Sequence, residues 1–325
     1  MSLLFRKPWA ATPAVAFVFA LAALFAIACS DSDGATPAPT TTPTEATATL
    51  TPESPIVVVD SDGVELEFAE PPSRIVSFSP GATEILYAIG AGDQVIAVDE
   101  WANYPADIEN VERVKYIDPD PEAVLALDPD LLLMAAAQQP QVEQFRSLGL
   151  NVMFNLEPES IEGVLDQILL FGVVTGHETE AEALVAEMRD RIAAIETVVA
   201  DVDEGPRVFY ELSSELYTAA PNTFIGGSLT LLKAQNVAEG AETAFPQLTA
   251  EALIDANPEV VLLADQIWGE SLETVSSRPG WDAVDAVINQ RVHGVDPDTG
   301  NRPGPRIVDA LEEIARLLYP DRFPG

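Results

Sequence analysis

The chain has 325 residues, too many for one small core and suited to two lobes or one large α/β unit, and an apolar fraction of 47% is ample for burial. Against 16 basic residues stand 53 acidic ones, a formal charge of −37, so the folded protein repels polyanions and nucleic acid is disfavoured as a partner. The same excess favours solubility, and it suits a salty habitat as readily as a binding role.

Arg6 and Lys7 open the chain with positive charge, and residues 10–28 are apolar and uncharged, the pattern of an export signal that is no part of the fold. A stretch of that length would also serve as an uncleaved membrane anchor. It ends in Ala26-Ile27-Ala28-Cys29, which resembles the lipobox of bacterial lipoproteins, with Ala26 where that motif usually has Leu. The resemblance implies that residues 1–29 are a lipoprotein signal peptide and that Cys29, once diacylated, is the lipid anchor. Cys29 is the only cysteine, which excludes an internal disulfide and a cysteine-built metal cluster; the alternative for it is a small apolar residue of the signal itself. Residues 30–54 are mostly Thr, Pro and Ala, with too little to bury to offset the entropy of ordering, and read as a disordered tether.

The fold is expected to begin at Ile56. "IVVVDSDGVELEF" places Asp62-Gly63 between alternating β-type residues, a hairpin signal. Strand-length apolar runs then alternate with helical patterns: "RIVSFS", "VIAVD", "LLLM" and "NVMFNL" are separated by helices over 83–89, 121–127 and 141–148. The second half repeats the plan with "RVFYEL", "VVLLAD" and "VHGVD" and helices over 224–234, 249–257 and 305–318. This alternation predicts an α/β protein with parallel sheets covered by helices, in two similar Rossmann-like lobes. The divisions expected are an N-terminal α/β lobe over 55–160, a helical segment over 161–202 and a C-terminal α/β lobe over 203–325. Within the middle segment, "ETEAEALVAEMRDRIAAIETVVADV" lacks Gly and Pro and sets Ala181, Leu184, Val185, Met188, Ile192 and Ile195 on one face. At about 1.5 Å per residue it spans roughly 35 Å, long enough to cross between lobes; an ordinary core helix accounts for the pattern equally well.

Taken together, "RIVSFSPGATEILYAIGAGDQVIAVDEWANYP", "PEAVLALDPDLLLM", "QVEQFRSLGLNV", "TFIGGSLTLLKAQNVAE", "PQLTAEALIDANPEVVLLAD" and "RPGWDAVDAVINQRV" resemble, in order and spacing, the class III solute-binding proteins of ABC importers. That family carries cobalamin, iron siderophores or haem. The likeness covers nearly the whole mature chain and implies two α/β lobes joined by one long rigid helix, here near residues 180–202, with the ligand in the cleft between the lobes. Such a connector restricts hinge motion, so lobe closure on binding is expected to be small. Pro80 and Gly81 start a helix whose Ile85, Leu86 and Ile89 face inward, which leaves Glu84 expected on the outside near the positive helix end. The resemblance implies that Glu84 docks to arginines of the permease; the plainer alternative is a dipole or capping role. Thr230 stands where the second lobe usually offers an equivalent glutamate, with Glu239 and Glu242 shortly downstream.

A cleft for a large, flat, partly apolar ligand needs aromatic faces and a few orienting polar groups. Trp101, in the loop after "VIAVD", and Tyr116 match pocket aromatics of the cobalamin-binding members. Tyr217 and Phe245 fall at pocket positions of the other lobe, Trp268 follows the strand "VVLLAD", and Arg302 precedes the last helix, where it would pair with a ligand carboxylate or phosphate. Ordinary packing is the alternative for each aromatic, surface neutralisation for Arg302, and Arg306 reads as part of the helix start. His177 and His293 have no nucleophile or ligand-spaced partner, and "GAGD" and "IGGS" lack dinucleotide and P-loop patterns, so no enzyme, resident cofactor or metal site is expected. The expected function is extracytoplasmic capture of cobalamin or a related corrinoid by a lipid-anchored monomer, for delivery to an ABC permease and its ATPase. Alternatives are a ferric siderophore or haem carrier, with Tyr116 or Tyr217 as an iron ligand, and, in other classes, a sensor lipoprotein or a metal-cofactor enzyme. No cluster of basic residues awaits an acidic catecholate.

Overall fold

The computed structural model describes residues 55–323; the signal-peptide and tether expectations and Cys29 lie outside them. A hairpin opens the described chain, β1 (Ile56–Val59) pairing antiparallel with β2 (Glu65–Phe68). Its turn is organised by Asp60, whose buried carboxylate accepts from the N–H groups of Asp62 and Val64 at 3.0 and 2.9 Å and pairs with Arg146. Gly63 takes φ +77° at the turn, as the Asp-Gly signal predicts.

The first lobe follows. It contains β3 (Ile75–Ser77), α1 (Pro80–Ala88), β4 (Val95–Asp99), β5 (Glu112–Val114), α2 (Pro121–Ala126), β6 (Leu131–Ala135), α3 (Gln139–Ser147) and β7 (Val152–Asn155). Its five strands are parallel in the order β5-β4-β3-β6-β7. β3 and β7 are buried along their whole length, which is why they read as unbroken apolar runs rather than alternating ones. The chain runs outward from β3 through β4 to β5, then returns to the other side of β3 for β6 and β7. Such a reversal opens a crevice at the carboxyl ends of the strands.

Two long helices come next, α4 (Ile161–Thr175) and α5 (Glu178–Val199). Ser160 caps α4 by accepting from Gly163 N–H at 3.1 Å, and Gly176 ends it with φ +75°. α5 has 22 residues, so it is roughly 33 Å long. Ala181, Val185, Met188 and Ile195 are buried on its inner face, and Leu184 and Ile192 pack beside them.

The second lobe contains β8 (Arg207–Glu211), α6 (Phe224–Leu231), β9 (Gln235–Asn236), α7 (Ala250–Ala256), β10 (Val260–Leu263), α8 (Leu272–Ser276), α9 (Asp285–Ile288), β11 (Val292–Gly294), α10 (Pro297–Gly300) and α11 (Ile307–Leu318). Its parallel sheet runs β11-β10-β8-β9, again with the first strand inside and a reversal beside it. Thr223 and Thr249 cap α6 and α7 by accepting from Gly226 and Ala252 N–H at 2.9 and 3.1 Å. The fold is therefore α/β in two lobes with the long helix α5 between them in sequence. Short strands β5 and β9 were not foreseen, because three and two residues carry no readable periodicity.

Candidate functional site

Between the two sets of strand ends lies a cavity of about 640 Å³ with walls more apolar than polar. The first lobe supplies Ser79 after β3, Trp101 after β4, Tyr116 after β5, residues 133–137 at the end of β6 and residues 155–158 at the end of β7. The second lobe supplies Trp268 after β10 and Pro297, Asn301, Arg302 and Pro303 after β11. Gln167 and Phe171 of α4 complete the wall. The strand-end position holds because side chains there are released from the sheet while their backbone stays fixed by the ladder.

Trp101 and Trp268 are 63% and 72% exposed, an uncommon state for indoles and one that leaves their faces free for a ligand. Each is held by its backbone: Trp101 N–H donates to Asp99 Oδ1 at 2.8 Å, and Trp268 N–H to the Asp265 carbonyl at 2.9 Å. Tyr116 is half-buried; Gln138 Nε2 donates to its carbonyl at 2.7 Å and its N–H donates to Glu100 Oε1 at 3.2 Å. Burial first, then the charges of Asp99 and Glu157, push the Tyr116 phenol above its usual range.

Tyr217 and Phe245 do not join this wall. They are about two-fifths exposed elsewhere on the second lobe, where Tyr217 forms backbone bridges with Ser213 and Gln247. Their expected place in the cleft is corrected: the segments around them pair with each other, Thr218 N–H donating to the Pro246 carbonyl at 3.0 Å.

Glu84 is likewise corrected. It is only 2% exposed and does not point outward. Its carboxylate accepts from Arg306 Nε at 2.8 Å and Nη2 at 2.6 Å, a two-pronged pair, and from Arg302 Nη1 at 3.2 Å. The loop of the second lobe lies directly on α1, so closely that a Cβ at Gly81 would sit 2.7 Å from the Pro303 carbonyl oxygen. In this arrangement the carboxylate is engaged by arginines of its own chain instead of facing outward. Arg306 also stacks on Tyr104, its guanidinium 4.2 Å from the ring centre, so it does more than begin a helix.

Arg302 reaches the cleft as expected, but it is already engaged. Besides Glu84, it donates to Asn103 Oδ1 at 2.6 Å and the Trp101 carbonyl at 3.2 Å, and pairs with Asp298 at 2.6 Å. Thr230 is exposed and donates to the Gly226 carbonyl at 3.0 Å, while Glu239 and Glu242 are exposed carboxylates away from the cleft wall. His177 bonds the Thr175 carbonyl through Nδ1 at 2.9 Å at the α4–α5 junction, and burial lowers the His293 pKa.

Two acids behind and within the cleft were not foreseen. Asp99 is fully buried with Oδ2 unpartnered, and burial pushes its carboxyl up to about 6 against the opposing pull of the Trp101 N–H and Arg302. Glu157 lines the cavity as an exposed residue, and partial desolvation of its carboxyl raises its pKa. The readable signal for both was their position at the end of a strand. Among the described residues no three His, Cys, Asp or Glu side chains are grouped to hold a metal.

Comparison with known proteins follows the same geometry. The periplasmic binding protein family profile matches residues 75–299. The chain belongs to that family. It is 32% identical over 277 residues to a substrate-binding lipoprotein of an ABC transporter from Bacillus subtilis, covering 83% of this chain and 87% of the relative. It is 31% identical over 275 residues to a cobalamin-binding protein of Halobacterium salinarum, covering 82% and 74%. Among solved structures, the vitamin B12-binding protein of Vibrio cholerae superposes with a TM-score of 0.68 at 26% identity, over 78% of this chain and 99% of that one. A haem-binding protein from Roseiflexus shares the fold with a TM-score of 0.69 at 24% identity, over 77% and 99%. The chain is a class III periplasmic binding protein of the type that serves ABC importers.

Proposed function

We propose that this protein captures cobalamin or a related corrinoid outside the cytoplasmic membrane and delivers it to an ABC permease driven by its ATPase. Binding and hand-over are its whole activity, with no covalent step. The observation that carries the ligand assignment is the cleft itself: Trp101, Tyr116 and Trp268 surround an apolar cavity in which the one arginine is already paired. A flat macrocycle edged with amides suits aromatic faces and neutral acceptors such as Asn155 and Gln167. The named ligands of the Halobacterium and Vibrio relatives support the same reading.

A haem carrier with Tyr116 on iron is the second reading, favoured only by the phenol's presence in the wall. Iron ligation there requires the phenolate, and burial together with Asp99 and Glu157 disfavours that form. Anchoring through a lipid on Cys29, with residues 30–54 as spacer, fits a receptor that must stay near its permease, as does the lipoprotein relative of Bacillus.

Calorimetric titration of the purified protein with cyanocobalamin, with haem and a ferric hydroxamate in parallel, tests the assignment. One-to-one saturable binding of the corrinoid is expected, weakened by Trp101→Ala about 10-fold or more, the loss of a stacking face of roughly 1.4 kcal/mol or above. Binding of haem or the hydroxamate alone would replace the ligand while keeping the class.

A further inference from the structure

Of the cleft-lining side chains only two carry formal charge, Arg302 and Glu157, and they differ in one respect. The guanidinium of Arg302 is covered by Glu84, Asp298, Asn103 and the Trp101 carbonyl. The neighbouring Arg306 is equally taken, by Glu84 and the Asp298 carbonyl. Glu157 is an exposed residue of the wall and makes no side-chain hydrogen bond or ion pair among the described residues, and no cation opposes the desolvation that raises its pKa. Behind the wall, Asp99 adds a second acid whose field reaches Tyr116 along with that of Glu157. The uncompensated charge facing a ligand is therefore negative, and its Coulomb force strengthens as a bound ligand displaces water from the cleft.

We propose that Glu157 is the specificity-determining residue of the cleft, a carboxylate that accepts from N–H donors at the edge of an uncharged or cationic chelate and turns away chelates carrying free carboxylates or catecholates. This deepens the corrinoid reading and rests on the cleft being the ligand site. Corrinoids with amide side arms present such donors, whereas haem propionates and triscatecholates meet Glu157 with like charge and find no free cation to offset it.

The test compares two ligands that share one ring and one metal: dicyanocobinamide, edged with amides, and dicyanocobyrinic acid, edged with carboxylates. With the full-length protein at low salt, the amide form is expected to bind at least about 10-fold more tightly, a gap that shrinks near 1 M salt as the screening length falls to about 3 Å. Glu157→Gln should narrow the ratio about 10-fold, and Glu157→Lys should narrow it further or reverse it, with thermal melts confirming that each variant is folded. A ratio identical in wild type and both variants would overturn the role of Glu157 and leave the corrinoid reading intact. If neither corrinoid binds, cationic ferrioxamine B and anionic ferric enterobactin replace them: the corrinoid reading then falls, and the same ratio and variants decide the filter. Failure of all four ligands to bind would overturn both.

Discussion

Asp265 is 2% exposed, and neither of its carboxyl oxygens has a hydrogen-bond partner among ordinary donors. Beside it, Glu211 is fully buried and accepts from Arg278 Nη1 and Nη2 at 2.7 and 2.5 Å; Glu270 takes Arg278 Nη2 as well, at 2.7 Å. One guanidinium thus bridges two acids and leaves Asp265 beside them without a partner. Burial, then repulsion from Glu211, pushes the Asp265 carboxyl up to about 7 from an ordinary 3.8, and in its protonated form it can donate to Glu211. Because the folded pKa is raised, the native state holds a proton that the unfolded chain has released, so this group lowers stability as pH rises from about 4 to about 7. Asp265→Asn keeps the donor and removes the titration. Its stability gain over wild type, measured by urea unfolding at a series of pH values, should be smallest near pH 4 and grow towards pH 7. Trp268 lies three residues along the same loop, so the cluster also fixes one wall of the cleft.

At the scale of elements, α4 and α5 cross at Gly172, where a Cβ would come within 2.5 Å of the Ala181 Cβ. The close approach lets Phe171 of α4 reach the cleft while Ile168 and Val174 stay in the core that α5 closes. Gly172→Val should overpack this crossing and cost about 1–3 kcal/mol, read as a lowered urea midpoint with an unchanged m-value. The helix itself was visible in the sequence through its apolar spacing and lack of Gly and Pro, but its role was not. What distinguishes it from an ordinary core helix is contact with the far end of the chain: Arg191 pairs with Asp309 and Glu312 of α11 at 2.6 and 3.0 Å. No local pattern encodes a partner more than a hundred residues away.

Across the whole molecule, the two lobes meet at α1 through Glu84, Arg302 and Arg306, a charge cluster enclosed between Tyr104 and the loop of Pro303. Removing the acid would leave two guanidinium groups half-buried without their shared partner. Glu84→Ala is accordingly expected to cost about 3–5 kcal/mol in denaturant unfolding, and Glu84→Gln less. If the cluster also holds the lobes together, small-angle scattering of Glu84→Gln should show a larger radius of gyration than wild type; equal radii would confine its effect to stability. The sequence by itself determined the α/β class, the two rounds of strand and helix, the hairpin at Asp62-Gly63, and the strand-end positions of Trp101 and Trp268. These follow from periodicity and turn chemistry, which act between near neighbours along the chain. Only the tertiary structure decided which charges are free. Glu84 resembled an exposed first-turn acid because its own helix faces its own sheet, yet Arg302 and Arg306, 218 and 222 residues away, close over it from the other lobe. Tyr217 and Phe245 left the cleft, and Glu157 entered it, for the same reason: the facing of a loop side chain is set by the lobe packed opposite, and no local spacing records it.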